Sequence, residues 1–568
     1  MYKNIYKIVL VLFFSISVSC SKDYLDVENK NALTDGSFYQ TQNDFWMALN
    51  SLYTPLAHGG LFGHQYQMMF GSFEDRILFE STNMDMLTFD PTHANIGTMF
   101  RDLYMGIYRT NMFVKRLTER QEVDGLTVEM RDNYMGQAKA LRGIYYFYAV
   151  TTFDAPPFYD DLNMPDDINV AMTNGKQEDF WNRLEEDLAA AAELLPETWE
   201  PQDAGRITAG AARAMLGKAL LYKHYHFYKR FGGSSTDDLK LAKSMLEQVI
   251  SSGVYELVMP KTPKSKEDYL YAILSNFSYV DLPAGNNLYK GENTIESVWE
   301  VQYNDERFGT GWLPGWMWSG TLNSAYFSAH TSSYKNHEGH PDLWDAFEQV
   351  DNGGSLASLG FVKDPRAYST FYIDGDKLDV RPESPNFGIN FKAAGNTKKV
   401  AQKRGLIPET GDSYPSEAFG LKKYYFPVYY ENSAPNNDPV NRVVIRFADV
   451  LLMYAETCLL LGEDTDRGLS ALNRVRARVD MPALTVLSRE AIVHERDVEL
   501  AFETLRWFDL IRWSFDETWG IDLQQILSRQ TGPNGSGGFF VKGKHEYLPL
   551  PQSEIDLSRG ALKQNAGW

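Results

Sequence analysis

Apolar side chains recur at helical spacing in several separate stretches of this chain, and no other feature limits its possible folds as strongly. In 130–150 the apolar positions follow one another at intervals of three and four residues: Tyr134, Ala138, Leu141, Tyr145 and Tyr148. These intervals place them on one face of an α-helix. The helix is predicted to end before Asp154, because Pro156 and Pro157 exclude a helical continuation.

A second helix is predicted to begin after Thr208, whose side-chain oxygen can cap the first turn. Its inner face consists mostly of small residues: Ala209, Ala212, Leu216, Ala219 and Leu220. Small residues at this spacing let two helix axes approach closely, which favours stacked pairs of helices. Further helices are predicted at about 37–54, 98–118, 178–195, 238–252, 447–462, 466–478 and 488–513, the last capped by Ser488. Their lengths are typical of tetratricopeptide units, although no repeat recurs at a fixed period.

Two parts of the chain, 255–445 and 515–568, differ from the helical stretches. They contain short runs of β type, such as 296–303 and 442–447, between loops rich in Gly, Asn, Pro and Trp. Long loops on a helical scaffold usually carry function. We therefore predict a mainly α fold of tetratricopeptide-like helical hairpins with an irregular, loop-rich region that contains short β-strands. The predicted division is a signal peptide at 1–19, an N-terminal helical region at 20–254, and a C-terminal region at 255–568 that carries the ligand loops and final helices.

The N-terminus has the features of an export signal. Lys3 and Lys7 give a positive start, and the apolar run 8–18 that follows is too short for a stable membrane span. Cys20 lies at the expected cleavage point behind small residues, as lipoprotein processing requires. We predict that its thiol takes a diacylglycerol and becomes the new N-terminus. The alternative is an ordinary cleaved signal with an incidental cysteine.

Charge and cysteine content exclude several classes of function. The formal net charge is −20, with no long basic run, which argues against a nucleic-acid partner. The second of the two cysteines, Cys458, lies within an apolar helical pattern and is predicted to be a small buried hydrophobe. If Cys20 is lipidated, no intramolecular disulfide can form.

The motifs CSKDYLD at 20–26, AKALRGIYYF at 138–147 and FDAPP at 153–157 together resemble those of the SusD/RagB family of nutrient-binding outer-membrane lipoproteins. The start, 20–26 (CSKDYLD), is similar to the lipidated cysteine and the aromatic-Leu-Asp motif of that family. The segment 138–147 (AKALRGIYYF), followed by FDAPP at 153–157, resembles its most recognisable helix and turn. Family members usually carry Gly-Asp where this chain has Asp-Ala. Two further segments, 205–212 and 252–257, resemble a helix start and a turn of the family.

The C-terminal half resembles the same family in the same order. Its matching segments are 446–456 (RFADVLLMYAE), 472–478 (LNRVRAR), 506–512 (RWFDLIR), 548–551 (LPLP) and 564–568 (QNAGW). Trp568 replaces a commoner Tyr at the end. Each motif is weak alone, but the ordered set extends over the whole chain from Cys20 onward.

The resemblance implies a SusD-like fold and a function. Family members are non-enzymatic surface binders that sit as a lid on a SusC-like TonB-dependent transporter in the outer membrane. The resemblance therefore implies a lipid-anchored protein that faces outside. Such a protein captures oligo- or polysaccharides and delivers them to the transporter, and it needs no cofactor. Because some relatives import peptides, a peptide ligand is an alternative; a surface hydrolase and a scaffold for other lipoproteins are further rivals.

A Gly/Pro-rich stretch carries the most specific candidates for sugar contact. Trp312, Trp316 and Trp318 lie within 311–320, and Tyr326 follows shortly after. Indole faces stack on the C–H faces of pyranose rings. The family resemblance places glycan-binding aromatic residues in this general part of the chain. The alternative is that these tryptophans pin a long loop to the helices.

Polar candidates lie in an N-terminal loop. They are Asp75, Arg76 and Asn83, since the resemblance implies that side chains of this region bond sugar hydroxyls. Carboxylate, guanidinium and amide groups can form paired bonds to adjacent hydroxyls. The alternative is a local salt bridge that organises the loop.

Three carboxylates raise the question of catalysis. Glu495, Glu499 and Glu503 lie on one face of the predicted helix 488–513, with Arg496 and Arg506 nearby. A glycosidase needs two carboxylates on opposite sides of one sugar. Stacked acids with arginines are instead typical of an ion network between helices. We predict that the protein is not an enzyme.

The histidines do not form a predicted metal site. His337 and His340 lack the spacing of a zinc helix, and the glycine between them and the following Pro341 favour a loop. His224 and His226 are two apart and are predicted to face different sides of a helix. The Asn- and Asp-rich loop at 436–438 is a candidate for structural calcium.

Overall fold

The architecture is mainly α-helical, as predicted. A computed structural model describes residues 38–79, 86–160, 172–262, 264–277, 280–281, 288–289, 292–303, 337–371, 421–423, 441–527 and 540–568. Helices of the first half are α1 (Gln42–Tyr53), α2 (Gln65–Phe73), α3 (Ala94–Glu119), α4 (Val128–Phe153), α5 (Gln177–Leu194), α6 (Ala209–Lys223), α7 (Thr236–Ser251) and α8 (Lys266–Leu274). Later helices are α9 (Pro341–Ala346), α10 (Ser355–Ser358), α11 (Pro365–Thr370), α12 (Phe447–Leu461), α13 (Thr465–Arg478), α14 (Arg489–Glu499), α15 (Arg506–Ser514), α16 (Leu523–Leu527) and α17 (Gln552–Leu557).

The long helices pack as successive hairpins. Consecutive helices in the series α3 to α7 pack against each other. Beyond this series, α12 packs on α7, and α13 packs on α12. Glycines permit the close approach: a Cβ at Gly143 of α4 would lie 2.9 Å from Cγ of Leu188, and one at Gly217 of α6 would lie 2.6 Å from Cγ of Leu246. This tetratricopeptide-like arrangement confirms the predicted stacked helix pairs.

The described residues form two hydrophobic cores. The larger extends through the long helices and includes residues such as Leu216, Leu220 and Leu451. A smaller cluster lies among the short elements: Ile77, Tyr269, Leu343, Trp344, Phe347, Phe361, Phe371, Leu421 and Val498 are among its members. The short elements therefore have a core of their own.

The strands are short and pair antiparallel. They are β1 (Ile77–Phe79), β2 (Val280–Asp281), β3 (Leu288–Tyr289), β4 (Ser297–Val301), β5 (His337–Gly339) and β6 (Arg442–Arg446). β1 pairs with β5, β2 with β3, and β4 with β6. The β4–β6 pairing aligns Val301 with Arg442 and confirms both predicted β runs.

Local sequence signals located most helix boundaries. The side chain of Thr208 accepts a hydrogen bond from the backbone N–H of Ala211, and that of Ser488 from Ala491, which confirms both predicted caps. The predicted single helix 488–513 was wrong, because α14 ends at Glu499 and α15 begins at Arg506. The chain turns between them, and Phe502 and Thr504 have φ values of 64° and 62°, which no α-helix accepts.

The segment around His337 also differs from the prediction of a loop. His337–Gly339 forms β5. His340 then caps α9, where its Nδ1 accepts a bond of 3.1 Å from the backbone N–H of Asp342. The following proline is compatible with this arrangement, because proline suits the first position of a helix.

Candidate ligand-binding site

The pairing of β1 with β5 aligns 77–79, which precede Asn83 in the chain, with 337–339, which follow the predicted aromatic residues. Phe79 is aligned with His337. The chain continues from Phe79 towards Asn83, and it reaches His337 from the stretch that holds the predicted aromatic residues. The candidates Asn83, Trp312, Trp316, Trp318 and Tyr326 lie outside the described residues, and their sugar contacts stay predictions.

Two further contacts hold residues that flank long connections. The backbone N–H of Tyr303 donates to Oδ1 of Asn441 at 2.7 Å, so the chain before residue 304 meets the chain after residue 440. Phe371 pairs with Leu421 in an isolated bridge, which joins the two ends of 372–420. We call the β1–β5 pair, Tyr303 with Asn441, and Phe371 with Leu421 the loop stems.

Asp75 and Arg76 have partners inside the protein. Arg506 donates to both carboxylate oxygens of Asp75, from Nε at 2.9 Å and from Nη2 at 3.0 Å. Arg76 donates to both oxygens of Asp497, most closely from Nη2 to Oδ2 at 2.6 Å. The backbone carbonyl of Arg76 also accepts from the N–H of His340 at 2.8 Å. These bonds fasten β1 to α14, α15 and the end of β5, and a glycan role for Asp75 and Arg76 stays a prediction.

Burial and the neighbouring positive charges have opposite effects on the pKa of Asp75. Burial raises its pKa, but the charge and hydrogen bonds of Arg506, with a smaller contribution from Arg76, lower it to about 2. Asp75 is therefore ionised at neutral pH.

A buried set of charged side chains connects the loop stems to the C-terminal helices. We call this set the ionic junction: Glu296, Arg366, Lys423, Arg446, Arg476, Arg478, Glu495, Glu499 and Glu503. Arg446, at the end of β6, is central to it. Nη1 lies 2.6 Å from Oε1 of Glu296 and 2.7 Å from Oε1 of Glu499, and Nη2 lies 2.7 Å from Oε1 of Glu503.

The other cations of the junction come from the short elements near the loop stems and from the C-terminal helix α13. Arg366 of α11 lies 2.5 Å from Glu495 and 3.1 Å from Glu499. Lys423 lies 2.5 Å from Glu503 and also donates to the backbone carbonyl of Ala501 at 2.9 Å. From α13, Arg478 pairs with Glu499 and, at 3.0 Å, with Glu296.

The junction confirms the predicted ion network around the three glutamates but corrects its partners. Arg496 pairs with Asp509 at 2.7 Å and with Asp449 at 2.8 Å. Arg506 faces Asp75, as described above. Glu503 itself lies beyond the end of α14, in the turn before α15, and not on the helical face where it was predicted.

The junction holds Glu499 and Glu503 as carboxylates. Burial acts to raise the pKa of Glu499, but Arg478, Arg446 and Arg366 outweigh it and hold that pKa well below its usual value. Burial likewise acts to raise the pKa of Glu503, and Arg446 and Lys423 reverse the effect. Burial lowers the pKa of Lys423 itself to about 8.

Carboxyls with raised pKa values occur elsewhere in the described part. Burial raises the pKa of Glu300, and burial together with Asp75 raises that of Glu74. Both side chains are at most 2% exposed. A glycosidase needs its two carboxyls on either side of a bound sugar, and neither buried group is placed to reach one.

A small cavity lies beside the junction. Its volume is about 20 Å³, which is room for about one water molecule. Its lining combines aromatic and charged side chains: Phe62, Tyr66, Phe147, Tyr148, Lys218, Tyr222, Arg442, Val443, Val444, Glu503, Thr504, Leu505 and Phe508. The cavity is too small for a sugar ring.

Histidines and the second cysteine are structural in the described residues. His224 and His226 are buried in a π-helical turn after α6, and His226 Nδ1 shares a hydrogen bond of 2.8 Å with the Tyr547 hydroxyl. Cys458 is fully buried, as predicted. Within the same described ranges, His, Cys, Asp and Glu side chains form no group of three suited to a metal ion. The calcium candidate at 436–438 lies outside them.

No helix within the described residues is both long and apolar enough to cross a membrane. The predicted signal peptide and Cys20 lie outside this part of the chain. Lipidation of Cys20 therefore stays a prediction.

The fold thus combines a scaffold of stacked helical hairpins with paired residues that flank the long connections of the chain. More specifically, the SusD family model matches residues 295–568, and a second model, described as starch-binding and associating with the outer membrane, matches 23–228. The chain belongs to the SusD/RagB family.

Full-length similarity agrees with this assignment. A SusD-like protein of Bacteroides ovatus is 22% identical over 575 residues, which cover 95% of this chain and 91% of that protein. A solved laminarin-binding SusD-like protein has a TM-score of 0.66 at 22% identity, with 93% of this chain and 100% of that one covered. Surface glycan-binding protein A of Bacteroides thetaiotaomicron, in complex with laminarihexaose, has a TM-score of 0.66 at 18% identity and covers 92% and 99%. These likenesses show that the fold is shared.

Proposed function

We propose that this protein is a non-enzymatic, lipid-anchored binder at the outer surface of the outer membrane. It captures an oligo- or polysaccharide there and delivers it to a SusC-like TonB-dependent transporter. Membership of the SusD/RagB family supports the role, and two relatives of the same fold are named for binding laminarin or solved with laminarihexaose.

The observation that carries the proposal is the pairing of β1 with β5. Residues 77–79 and 337–339 are distant in sequence but aligned in one ladder. In the sequence, Asn83 follows this ladder from residue 79, and the predicted aromatic residues precede it before residue 337. An aromatic platform beside hydroxyl-directed polar groups is the combination that a sugar chain requires.

The binding test uses the soluble protein from Ser21 onward. Affinity electrophoresis against plant, host and microbial polysaccharides is expected to show retardation by at least one glycan, without release of reducing ends. Trp316→Ala and Trp318→Ala are expected to weaken that retardation. The control is Phe231→Ala, which removes another aromatic side chain that is 70% exposed and should leave retardation unchanged.

Each other outcome contradicts a stated part of the proposal. Released reducing ends would overturn the non-enzymatic role. Absence of retardation by every glycan would overturn sugar binding and favour a peptide ligand. Monosaccharides should bind weakly, and equal affinity for a monosaccharide and its oligomer would contradict an extended platform.

The anchoring test uses cells that produce the full chain. Labelled fatty acid is expected to enter the wild-type protein but not Cys20→Ala, which should leave the membrane fraction. Labelling of Cys20→Ala to the wild-type level would contradict the proposed anchor. Co-purification with the transporter from solubilised membranes tests delivery, and its absence would contradict the proposed partner.

A further inference from the structure

Trp46 on α1 differs from the other tryptophans that the structure describes. Its side chain is 44% exposed and belongs to neither hydrophobic core. The other described tryptophans are buried or half-buried: Trp181, Trp199, Trp299, Trp344, Trp507, Trp513, Trp519 and Trp568. Single exposed apolar residues are common on protein surfaces, so exposure alone does not identify a site. It is the side chains around this indole that indicate a site.

A fixed guanidinium lies beside the ring. Cζ of Arg206 is 5.9 Å from the centre of the indole. Nε of Arg206 donates to Asp203 at 2.7 Å, Nη1 to Gln137 at 3.1 Å, and Nη2 to Asn50 at 2.9 Å. Because three acceptors already hold the guanidinium, a ligand that contacts it loses little further side-chain entropy.

An exposed pair of amides continues this surface. Gln302 lies against Gly205, where an added Cβ would be 2.1 Å from Cγ of Gln302. The side chains of Gln302 and Asn293 exchange two hydrogen bonds of 3.0 Å, and both residues are exposed. We call Trp46, Arg206, Gln302 and Asn293 the Trp46 row. It combines one aromatic face with amide and guanidinium groups, the side chains that bond sugar hydroxyls.

The row lies next to a loop stem. Gln302 directly precedes Tyr303, whose backbone N–H is held by Asn441. The predicted aromatic segment follows Tyr303 in the chain. Nε1 of Trp299 donates to the carbonyl of Gly205 at 3.1 Å and so ties the row to β4.

We propose that the Trp46 row is a second sugar-contacting site, which binds a neutral polysaccharide beyond the primary site on the loops. The inference rests on the proposed function. A glycan long enough to extend from the loops past this stem stacks one further sugar on Trp46, while Arg206 and the amides contact its hydroxyls. The ligand is neutral because Asp203 already balances the charge of Arg206 and the net charge of −20 repels acidic glycans.

The test is calorimetric titration of the soluble protein with the glycan found by electrophoresis, as oligosaccharides of increasing length and as the polymer. Trp46→Ala is expected to bind short oligosaccharides as the wild type does and to bind the longest about threefold to tenfold more weakly. Trp46→Phe, which keeps a ring, should recover much of the loss. The matched control is Met47→Ala: Met47 is the next residue of α1, is 43% exposed, and should have no effect.

The outcomes separate this inference from the proposed function. If the wild type binds and Trp46→Ala matches it at every length, the second site is overturned and the proposed function remains. A loss that is equal for short and long ligands would place Trp46 in the primary site and overturn a separate one. If the wild type binds no glycan, both proposals are overturned. An unchanged melting temperature of Trp46→Ala will show that the fold is intact.

Discussion

The helical scaffold of α3 to α7 and the ionic junction are both buried, but different interactions hold them. In the scaffold, Leu188, Leu220 and Leu246 are at most 1% exposed and pack among apolar neighbours. In the junction, Arg478 and Glu495 are as fully buried, and their contacts are charged hydrogen bonds. The two buried regions thus differ in their main interactions, although one buried ion pair, Arg142 with Asp187 at 2.6 Å, also joins α4 to α5.

This difference indicates that one region stabilises the fold and the other sets the positions of the loop stems. Apolar contacts stabilise roughly in proportion to buried area and have little directional preference. A buried ion pair adds little net stability compared with apolar packing, because desolvation opposes it, but removal of one partner is costly. We infer that the scaffold supplies stability, while the junction fixes the loop stems at defined positions and angles.

The largest expected effect is that of Glu499→Ala. This change removes the buried carboxylate that Arg366, Arg446 and Arg478 all contact. Loss of one partner of a buried pair destabilises by about 3–5 kcal/mol, and urea unfolding measures it. The control is Glu463→Gln, whose carboxylate lies 3.7 Å from Lys240 on the surface and should change little. Equal losses in the two variants would remove the distinction between junction and surface pairs.

Leu220→Ala in α6 should have the next largest effect. Leu220 is fully buried, so the change removes apolar contacts and leaves a cavity that costs about 2–5 kcal/mol. The same unfolding experiment measures it. Glycan binding is expected to persist below the melting temperature, since the change lies in the scaffold. A variant that is fully folded yet cannot bind would contradict the separation of stability from positioning.

A smaller, pH-dependent effect distinguishes the two regions. The pKa of Glu499 is held below its unfolded value of about 4.5, so its stabilising contribution is present above that pH and is lost as pH falls through the folded pKa. Glu499→Gln lacks this carboxylate. Its stability deficit relative to the wild type should therefore shrink between pH 7 and pH 3, whereas the deficit of Leu220→Ala should stay constant. Parallel deficits in the two variants would contradict the charged state of Glu499.

The smallest expected effect is local. Ser488→Ala removes the oxygen that accepts from the N–H of Ala491 at 3.1 Å, at a cost of about 1 kcal/mol. Ser488→Asp should retain the cap and most of the stability. A loss as large as that of Glu499→Ala would show that α14 is held mainly by its cap and not by the junction.

The helices were predictable because their signals are local. Apolar spacing and the caps Thr208 and Ser488 act within one or two turns, and the structure agrees within a few residues. The turn between α14 and α15 was not predictable in this way. Phe502 and Thr504 adopt positive φ without being Gly or Asn, and apolar residues continue across the turn.

The partners of the charged groups were not predictable, because they are distant in the chain. Arg506 meets Asp75 across 431 positions, and Arg446 meets Glu296 across 150. One signal was present in β6, where Arg442 and Arg446 flank three apolar residues. Arginines at both ends of a buried strand need nearby acids, although the sequence does not say which. The aromatic sugar contacts stay predictions.

The loop stems have a consequence for how specificity can diversify. The connection 372–420 starts and ends at Phe371 and Leu421, which pair with each other, so the chain between them can change in length and composition without moving its ends. Doubling the length of a closed loop costs only about 0.6 kcal/mol in entropy. We therefore expect that such a segment can be exchanged by recombination or engineering, with a change of ligand, while the same helical base folds unaltered.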